Sequence, residues 1–361
     1  MYEYYYEIDH NWLFYIIAFA LSFGIVLFLT PWARKVSVKL GAIDQPKARG
    51  LHKKPMPRLG GLAIFLGFMA TMIATSFFVE EFRALQFVGF AVGGIIIAGL
   101  GMLDDIYNLR PYIKLFVQIA VALVVVFTGT RIDFIGWDMP AFFDYLTIPV
   151  TIIWIVGIIN AVNFIDGVDG LAAGVTSIAS VFLAILSIMT GSPMAVIFTI
   201  TLAGSCLGFL PRNFSPADVI MGDTGSTFLG YVLAVSSIIG VYKGYALLSV
   251  VIVAFAMALP IMDTIFVFIS RIIKGKSPMT ADRGHFHHKL IDKAGFSHKK
   301  TVVVLYIASA IFGIIAILIA LQDFRVLIIG LVLVLVLISL FYSYRKRVSN
   351  IKTSDDENEN K

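Results

Sequence analysis

The sequence predicts an all-α protein, a polytopic transmembrane helix bundle of about eleven spans with its N-terminus outside and its C-terminus in the cytoplasm. Three observations predict it. First, 59% of the 361 residues are hydrophobic and 14% charged, whereas a soluble domain has about 45–50% apolar and about 25% charged residues. Second, the apolar residues are gathered into blocks of roughly 20, the length that crosses a hydrocarbon core. Such a chain must satisfy its backbone internally, so the blocks are helices. Third, the basic residues alternate by loop. Of 28 Lys and Arg, only Arg83, Arg131, Lys243 and Arg325 fall in the poorer set of loops. The positive-inside rule turns the richer set to the cytoplasm.

The first block, 12–30, follows acidic residues (Glu3, Glu7, Asp9) and ends at "FLTPWARK". It lacks a basic leader and a small-residue cleavage pattern, so it reads as a membrane helix, not a cleaved signal. Further blocks fall at 60–79, 84–103, 113–129, 145–160, 171–189, 194–210, 225–241, 245–269, 302–321 and 324–343. The expected organisation is one transmembrane catalytic domain over 1–345 and a disordered cytoplasmic tail over 346–361. That tail ends in "SDDENENK", charged and without apolar residues. The lone Cys206 lies in an apolar run and can form no internal disulfide, so it is a small core residue. Net charge is +5, but the basic residues sit in loops as orientation signals. With no interleaved basic and aromatic pattern, a nucleic-acid partner is not expected.

Function is read from where the remaining polar residues fall. Asp104 and Asp105, in "GMLDDIYNLRPYIK", close the third block, with Lys114 opening the fourth. Glu80 and Glu81 show that a span end can carry an ordinary interfacial pair, although on the other face. Adjacent carboxylates repel, and a proton or a divalent cation relieves the repulsion. Lys114 taken alone is a residue snorkelling from a helix start.

In "NAVNFIDGVDG", Asn160, Asn163 and Asp166 recur every three residues and share a face if the fifth helix continues. Gly167 and Gly170 then turn the chain, with Asp169 between them. A solvated helix cap is the plain reading. Oxygen groups with no intervening Lys or Arg suit Mg²⁺, which takes few protein ligands and the rest from phosphate and water.

"PRNFSPADVIMGDTGST" contributes Asn213 and Asp223 ahead of the eighth block. Its Thr224, Ser226 or Thr227 can cap the helix, whose free N–H groups make an anion site. Asp223 repels that anion unless a metal bridges them, so the combination suggests metal plus phosphate over an ordinary capped start. "ADRGHFHHKL" supplies Arg283, His285, His287 and His288. Without Cys nearby or helical His spacing, zinc fits poorly. A plain basic loop and phosphate or sugar contacts remain, Arg283 being able to grip phosphate with two bonds. These four clusters are expected on one, cytoplasmic, membrane face. Asp263 in "LPIMDTIF" is an acid inside a span, expected to support that site.

Together "LDDIYNLRPYIK", "NAVNFIDGVDGLAAG", "MGDTGSTFLGY" and "DRGHFHH" closely resemble the polyprenyl-phosphate N-acetylhexosamine-1-phosphate transferases, in order through roughly residues 30–300. The resemblance is to the bacterial branch that starts wall teichoic acid, O-antigen or enterobacterial common antigen. It is weaker to the phospho-N-acetylmuramoyl-pentapeptide transferases of peptidoglycan synthesis, whose loop carries three consecutive histidines. Here Phe286 interrupts them.

The resemblance implies transfer of N-acetylglucosamine 1-phosphate from UDP-N-acetylglucosamine to undecaprenyl phosphate in the bacterial cell membrane, releasing UMP, with the active site facing the cytoplasm. It implies that Asp223 ligates Mg²⁺ with Asn163 or Asp166 nearby, and that Asp169 meets the uracil. It implies that Asp104 and Asp105 handle the lipid phosphate and that Lys114 neutralises phosphate. Asn160 and Asn213 are expected to touch substrate, and Arg283, His285, His287 and His288 to recognise the sugar. Mn²⁺ can replace Mg²⁺ at such oxygen sites, and a homodimer is implied. Direct in-line attack by the lipid phosphate is preferred to a covalent aspartyl intermediate. A transporter is the rival class, but transporters hold ligands near the midplane between repeats, and no internal repeat is visible.

Overall fold

The structure is a computed structural model of the chain that describes residues 12–45, 54–78, 85–132, 145–239, 246–258, 261–262 and 296–320. In chain order the helices are α1 (Trp12–Lys39), α2 (Gly61–Ser76), α3 (Leu85–Tyr107), α4 (Pro111–Phe127), α5 (Thr147–Ile165), α6 (Leu171–Met189), α7 (Pro193–Asn213), α8 (Gly222–Ser236), α9 (Ala246–Ala256) and α10 (His298–Ala320). The expected spans map onto these helices one for one. The eleventh, at 324–343, the tail and Asp263 lie outside the described residues.

The chain is a multi-pass membrane protein. Among the described residues six helices (α1, α3, α5, α6, α7 and α10) are long and apolar enough to cross a bilayer. This is fewer than the eleven spans expected. α2 and α4 are apolar but shorter, and α8 has 15 residues, about 22 Å of helix. A helix buried by its neighbours need not cover the whole hydrocarbon thickness with its own length. Exposed Phe28, Phe116, Phe127 and Ile153 form the kind of outer surface that lipid covers.

α1 runs past its apolar block, through Pro31, to Lys39. The loop after it adds the one departure from pure helix among the described residues. Two short strands, β1 (Ile43–Asp44) and β2 (Met56–Pro57), pair antiparallel, with Ile43 opposite Pro57 and Asp44 opposite Met56.

α8 is the axis of the bundle. Of its residues only Asp223 is not buried, and it packs against α2, α3, α5, α6 and α7. Glycine makes this crowding feasible, since small residues let helix backbones touch. A side chain at Gly101 of α3 would strike the backbone of Asp223 and Thr224, and one at Gly230 of α8 the backbone of Ile158 and Ile159. Further from the site, Phe90 stacks on Phe198 with centroids 4.4 Å apart, and the Tyr231 hydroxyl donates to the Phe90 carbonyl at 2.8 Å. Cys206 is buried and free, as expected of a core residue.

Candidate active site

At one end of the bundle the close of α3, the start of α4, the close of α5 and the start of α8 come together. Their approach is fixed first by backbone. The segment around β2 runs beside the strand-like lead into α8: Ile220 N–H donates to Pro57 O at 2.8 Å, Gly60 N–H to Ile220 O at 3.0 Å and Gly61 N–H to Met221 O at 2.8 Å. Ser37 Oγ, at the end of α1, accepts from Arg58 N–H at 2.9 Å. Gly222 then turns into α8 at φ +73°, a conformation that suits glycine.

Asp105 fills the start of α8. Its Oδ1 accepts from Asp223 N–H at 2.9 Å, and its Oδ2 from Thr224 N–H at 2.9 Å and Thr224 Oγ at 2.7 Å. Arg58 Nη2 lies 3.1 Å from Oδ1. The first N–H groups of a helix lack intrahelical partners and carry partial positive charge. The α8 anion site expected from the sequence therefore exists, but a carboxylate of α3 occupies it instead of a phosphate. The expected cap from Ser226 or Thr227 is likewise replaced. Those hydroxyls donate back to Gly222 O and Asp223 O, at 3.0 and 2.6 Å.

Asp104 faces the other way. After α3 the chain turns through Asn108 at φ +54°, a residue type that tolerates the left-handed region. Leu109 N–H donates to Asp104 Oδ1 at 2.8 Å. Pro111 starts α4, a first-turn position that suits its fixed φ, and Lys114 points back. Its Nζ lies 3.1 Å from Asp104 Oδ2 and 2.9 Å from Asp223 Oδ2. A cation in a helix's first turn opposes the helix dipole; two carboxylates offset this one. Arg58 Nη2 approaches the other oxygen of Asp223 at 4.0 Å.

α5 supplies the amides. Asn163 Nδ2 donates to Ser226 Oγ at 2.9 Å. Asn160, one turn back, donates to Gln118 Oε1 of α4 and to Val156 O, both at 2.8 Å. α5 ends at Ile165 and Asp166 is its C-cap, so the predicted shared face runs as helix only to Asn163. Asp166 has no hydrogen-bond donor among the described residues. Burial, then the charges of Asp223, Asp105 and Asp169, push its carboxyl well above the usual carboxylate range.

The loop carrying Asp166 and Asp169 is held at Gly170, which has φ +79°. Asn213 Oδ1 accepts from Gly170 N–H, and Asn213 Nδ2 donates to Val219 O, each at 3.0 Å. The Tyr306 hydroxyl of α10 donates to Gly170 O. Both ends of the buried Asn213 amide bond backbone, so it braces two loops. Asp169 Oδ2 accepts from Ala217 N–H at 3.3 Å.

The structure therefore brings together Asp104, Asp105, Lys114, Asn163, Asp166 and Asp223, while Arg283, His285, His287 and His288 lie outside the described residues. It adds Arg58 and Gln118, which the sequence reading passed over. Arg58 was counted among the orientation charges; its one signal was its place between Pro57 and the Gly60–Gly61 pair, a stiff lead into a close helix contact.

Four carboxylates here face two cations, Arg58 and Lys114. Among the described residues no three His, Cys, Asp or Glu side chains are grouped to enclose an ion by themselves. The donor-less Asp166 beside Asp223 and Asn163 nevertheless fits a hard cation that takes few protein oxygens and completes its shell with phosphate and water.

Residues 87–241 match the family described as glycosyl transferase family 4. The chain is 39% identical, over 86% of its own length and 86% of the relative's, to a probable undecaprenyl-phosphate N-acetylglucosaminyl 1-phosphate transferase of Bacillus subtilis. It is 31% identical to a decaprenyl-phosphate N-acetylglucosaminephosphotransferase of Mycolicibacterium smegmatis, over 78% of this chain and 76% of that one. It is 30% identical to an undecaprenyl-phosphate alpha-N-acetylglucosaminyl 1-phosphate transferase of Yersinia pestis, over 84% and 82%.

Proposed function

The chain belongs to the polyprenyl-phosphate N-acetylglucosamine-1-phosphate transferases of glycosyl transferase family 4, and from that premise we propose that it transfers N-acetylglucosamine 1-phosphate from UDP-N-acetylglucosamine to undecaprenyl phosphate. An oxygen of the lipid phosphate bonds to the phosphorus that carries the sugar. The bond from that phosphorus to the bridging oxygen breaks, and UMP leaves with the oxygen. The relatives' names support N-acetylglucosamine over the muramoyl-pentapeptide as the transferred sugar. Their reaction class also disfavours transport.

One observation carries the mechanism: Lys114 is shared between Asp104 and Asp223 at the mouth of the cluster. Phosphoryl transfer asks mainly for positioning and for charge neutralisation. Lys114, a quarter exposed at 26%, can pass from a carboxylate to an incoming phosphate oxygen without leaving the cluster. Asp104 holds it in place.

Direct attack by the lipid phosphate is favoured by how the acids are used. Asp105, wholly buried with four donors around it, has no exposed oxygen with which to attack phosphorus. Asp104 is engaged through both oxygens. Asp223 and Asn163, with Asp166 beside them, are the groups we assign to Mg²⁺ or Mn²⁺. Bound there, the ion would neutralise the donor pyrophosphate and stabilise the departing UMP. The richly basic loops support a site facing the cytoplasm, where the donor is made. The product is assigned to a teichoic acid or similar envelope polymer on the motif resemblance.

Incubation of purified protein with labelled donor, undecaprenyl phosphate and Mg²⁺ tests the reading; the expected products are lipid-linked N-acetylglucosamine diphosphate and UMP. No labelled lipid from any of three UDP-sugars would sink it. Rapid quenching with labelled donor and no lipid separates the two mechanisms, because label retained on protein would require a covalent intermediate.

A further inference from the structure

We propose that Arg58 is a substrate-binding residue whose guanidinium grips a phosphoryl oxygen beside Asp223. The proposal rests on the reaction class above and adds a residue to it. Three observations lead there.

The first is preorganisation. Arg58 is held on both sides by backbone: its own N–H bonds Ser37 Oγ and, at 3.1 Å, Ala42 O. The flanking Pro57 and Gly60 bond Ile220. A side chain at Gly222 would strike the Arg58 carbonyl and the Asp105 carboxylate, so the strand and the helix start are seated without a gap. Arg58 is thus placed by three elements, α1, β2 and the lead into α8.

The second is redundancy at Asp105. That carboxylate already accepts two backbone N–H groups and a hydroxyl from α8. Those three bonds stay in place if the guanidinium turns towards a phosphate, so the carboxylate is not left without donors.

The third is the unused fork. Arg58 keeps 26% of its side chain exposed, and one nitrogen, Nη2, makes the 3.1 Å contact with Asp105 and lies 4.0 Å from Asp223. A guanidinium has five N–H donors in a plane that matches two phosphate oxygens. Arg58 lies nearest Oδ1 of Asp223 and Lys114 nearest Oδ2, so that the two cations flank one carboxylate. A phosphate there would be met from both sides.

The shared chemistry is a phosphoryl oxygen, supplied by either the donor pyrophosphate or the lipid phosphate. The test uses the full chain in lipid nanodiscs, with Arg58→Gln and Arg58→Lys. It reads KM for each substrate separately, and equilibrium binding of UDP against uridine. Loss of a charged phosphate contact is expected to raise one KM roughly tenfold to a hundredfold in Arg58→Gln, with partial recovery in Arg58→Lys, which keeps the charge but not the fork.

If the donor is gripped, UDP binding weakens while uridine binding is unchanged; if the lipid is gripped, only the undecaprenyl phosphate KM rises. Both KM values and UDP binding within twofold of wild type, whatever happens to kcat or thermal midpoint, would overturn the proposal and leave Arg58 as a brace for Asp105. Arg58→Lys retains the pairing with Asp105 and serves the same criteria should Arg58→Gln not fold. Failure of the wild type to turn over would instead count against the proposed reaction itself.

Discussion

At the foot of α3, the face turned towards α8 and the face turned towards α4 each carry a carboxylate, and they are held in opposite ways. Asp105 is sealed into the start of α8 by backbone N–H groups, a hydroxyl and Arg58. Asp104 takes one local N–H and the cation Lys114, which it shares with Asp223. Consecutive helix residues point about 100° apart, so an acidic pair that looks like one unit in the sequence is divided between two neighbours. Asp105 ties α3 to α8, and Asp104 ties it to α4 through Lys114. The difference teaches that adjacent acids in a membrane helix can be used separately, each by a different neighbouring helix.

The largest expected effect tests that division directly. Asp105→Ala leaves two helix N–H groups and Arg58 without their buried partner, at about 3–5 kcal/mol. Asp104→Ala should cost about 1–3 kcal/mol, the loss of a charge with fewer fixed donors, one backbone N–H and the shared Lys114. Thermal midpoints in matched detergent compare them, and equal losses would break the comparison.

Lys114→Met sharpens it from the catalytic side. It should lower kcat/KM about 10²–10³-fold, the scale for removing one preorganised electrostatic contact, while shifting the thermal midpoint less than Asp105→Ala. A larger stability loss than that of Asp105→Ala would reverse the assigned roles.

Gly101→Leu pushes α3 off the Asp223–Thr224 backbone and so loosens the α8 face alone, for about 1–3 kcal/mol of overpacking. Unchanged stability would mean that the close helix contact is not what seats Asp105.

The smallest effect concerns a third acid. Asp166 has a raised carboxyl pKa because of burial and three nearby carboxylates, so the folded protein holds its proton above the pH at which the unfolded chain loses it. Its stabilising contribution is present below the ordinary carboxylate range and is lost as pH rises through the folded value. In EDTA the thermal midpoint should therefore fall with rising pH, and Asp166→Asn should flatten that slope. Identical slopes would count against the crowded setting described for Asp166.

The helices were legible because membrane burial leaves a plain trace. Blocks at 171–189 and 194–210 became α6 and α7 with ends within a few residues, since a span must be apolar along its length. The β1–β2 ladder was not legible, because two-residue strands lie below any periodic signal. α8 is shorter than its apolar block at 225–241, because burial by protein and burial by lipid produce the same apolar composition. In the site, residue type was legible and partnership was not. Asn163 and Asp223 stood out as polar groups at helix ends. Arg58 was lost among loop charges, and the bracing of two backbone loops by Asn213 left no trace in the sequence.

The sequence by itself determined that this chain lies in a membrane as helices and that acids, amides and a lysine cluster at their ends, because an apolar solvent makes each such group costly and therefore conspicuous. Only the tertiary structure decided which acid meets which cation, because that depends on helix rotation and on glycine contacts between elements far apart in the chain. Rotating α3 by a single residue would carry Asp104 into the surroundings of Asp105, and Asp105 away from them, without altering the apolar pattern from which its span is read.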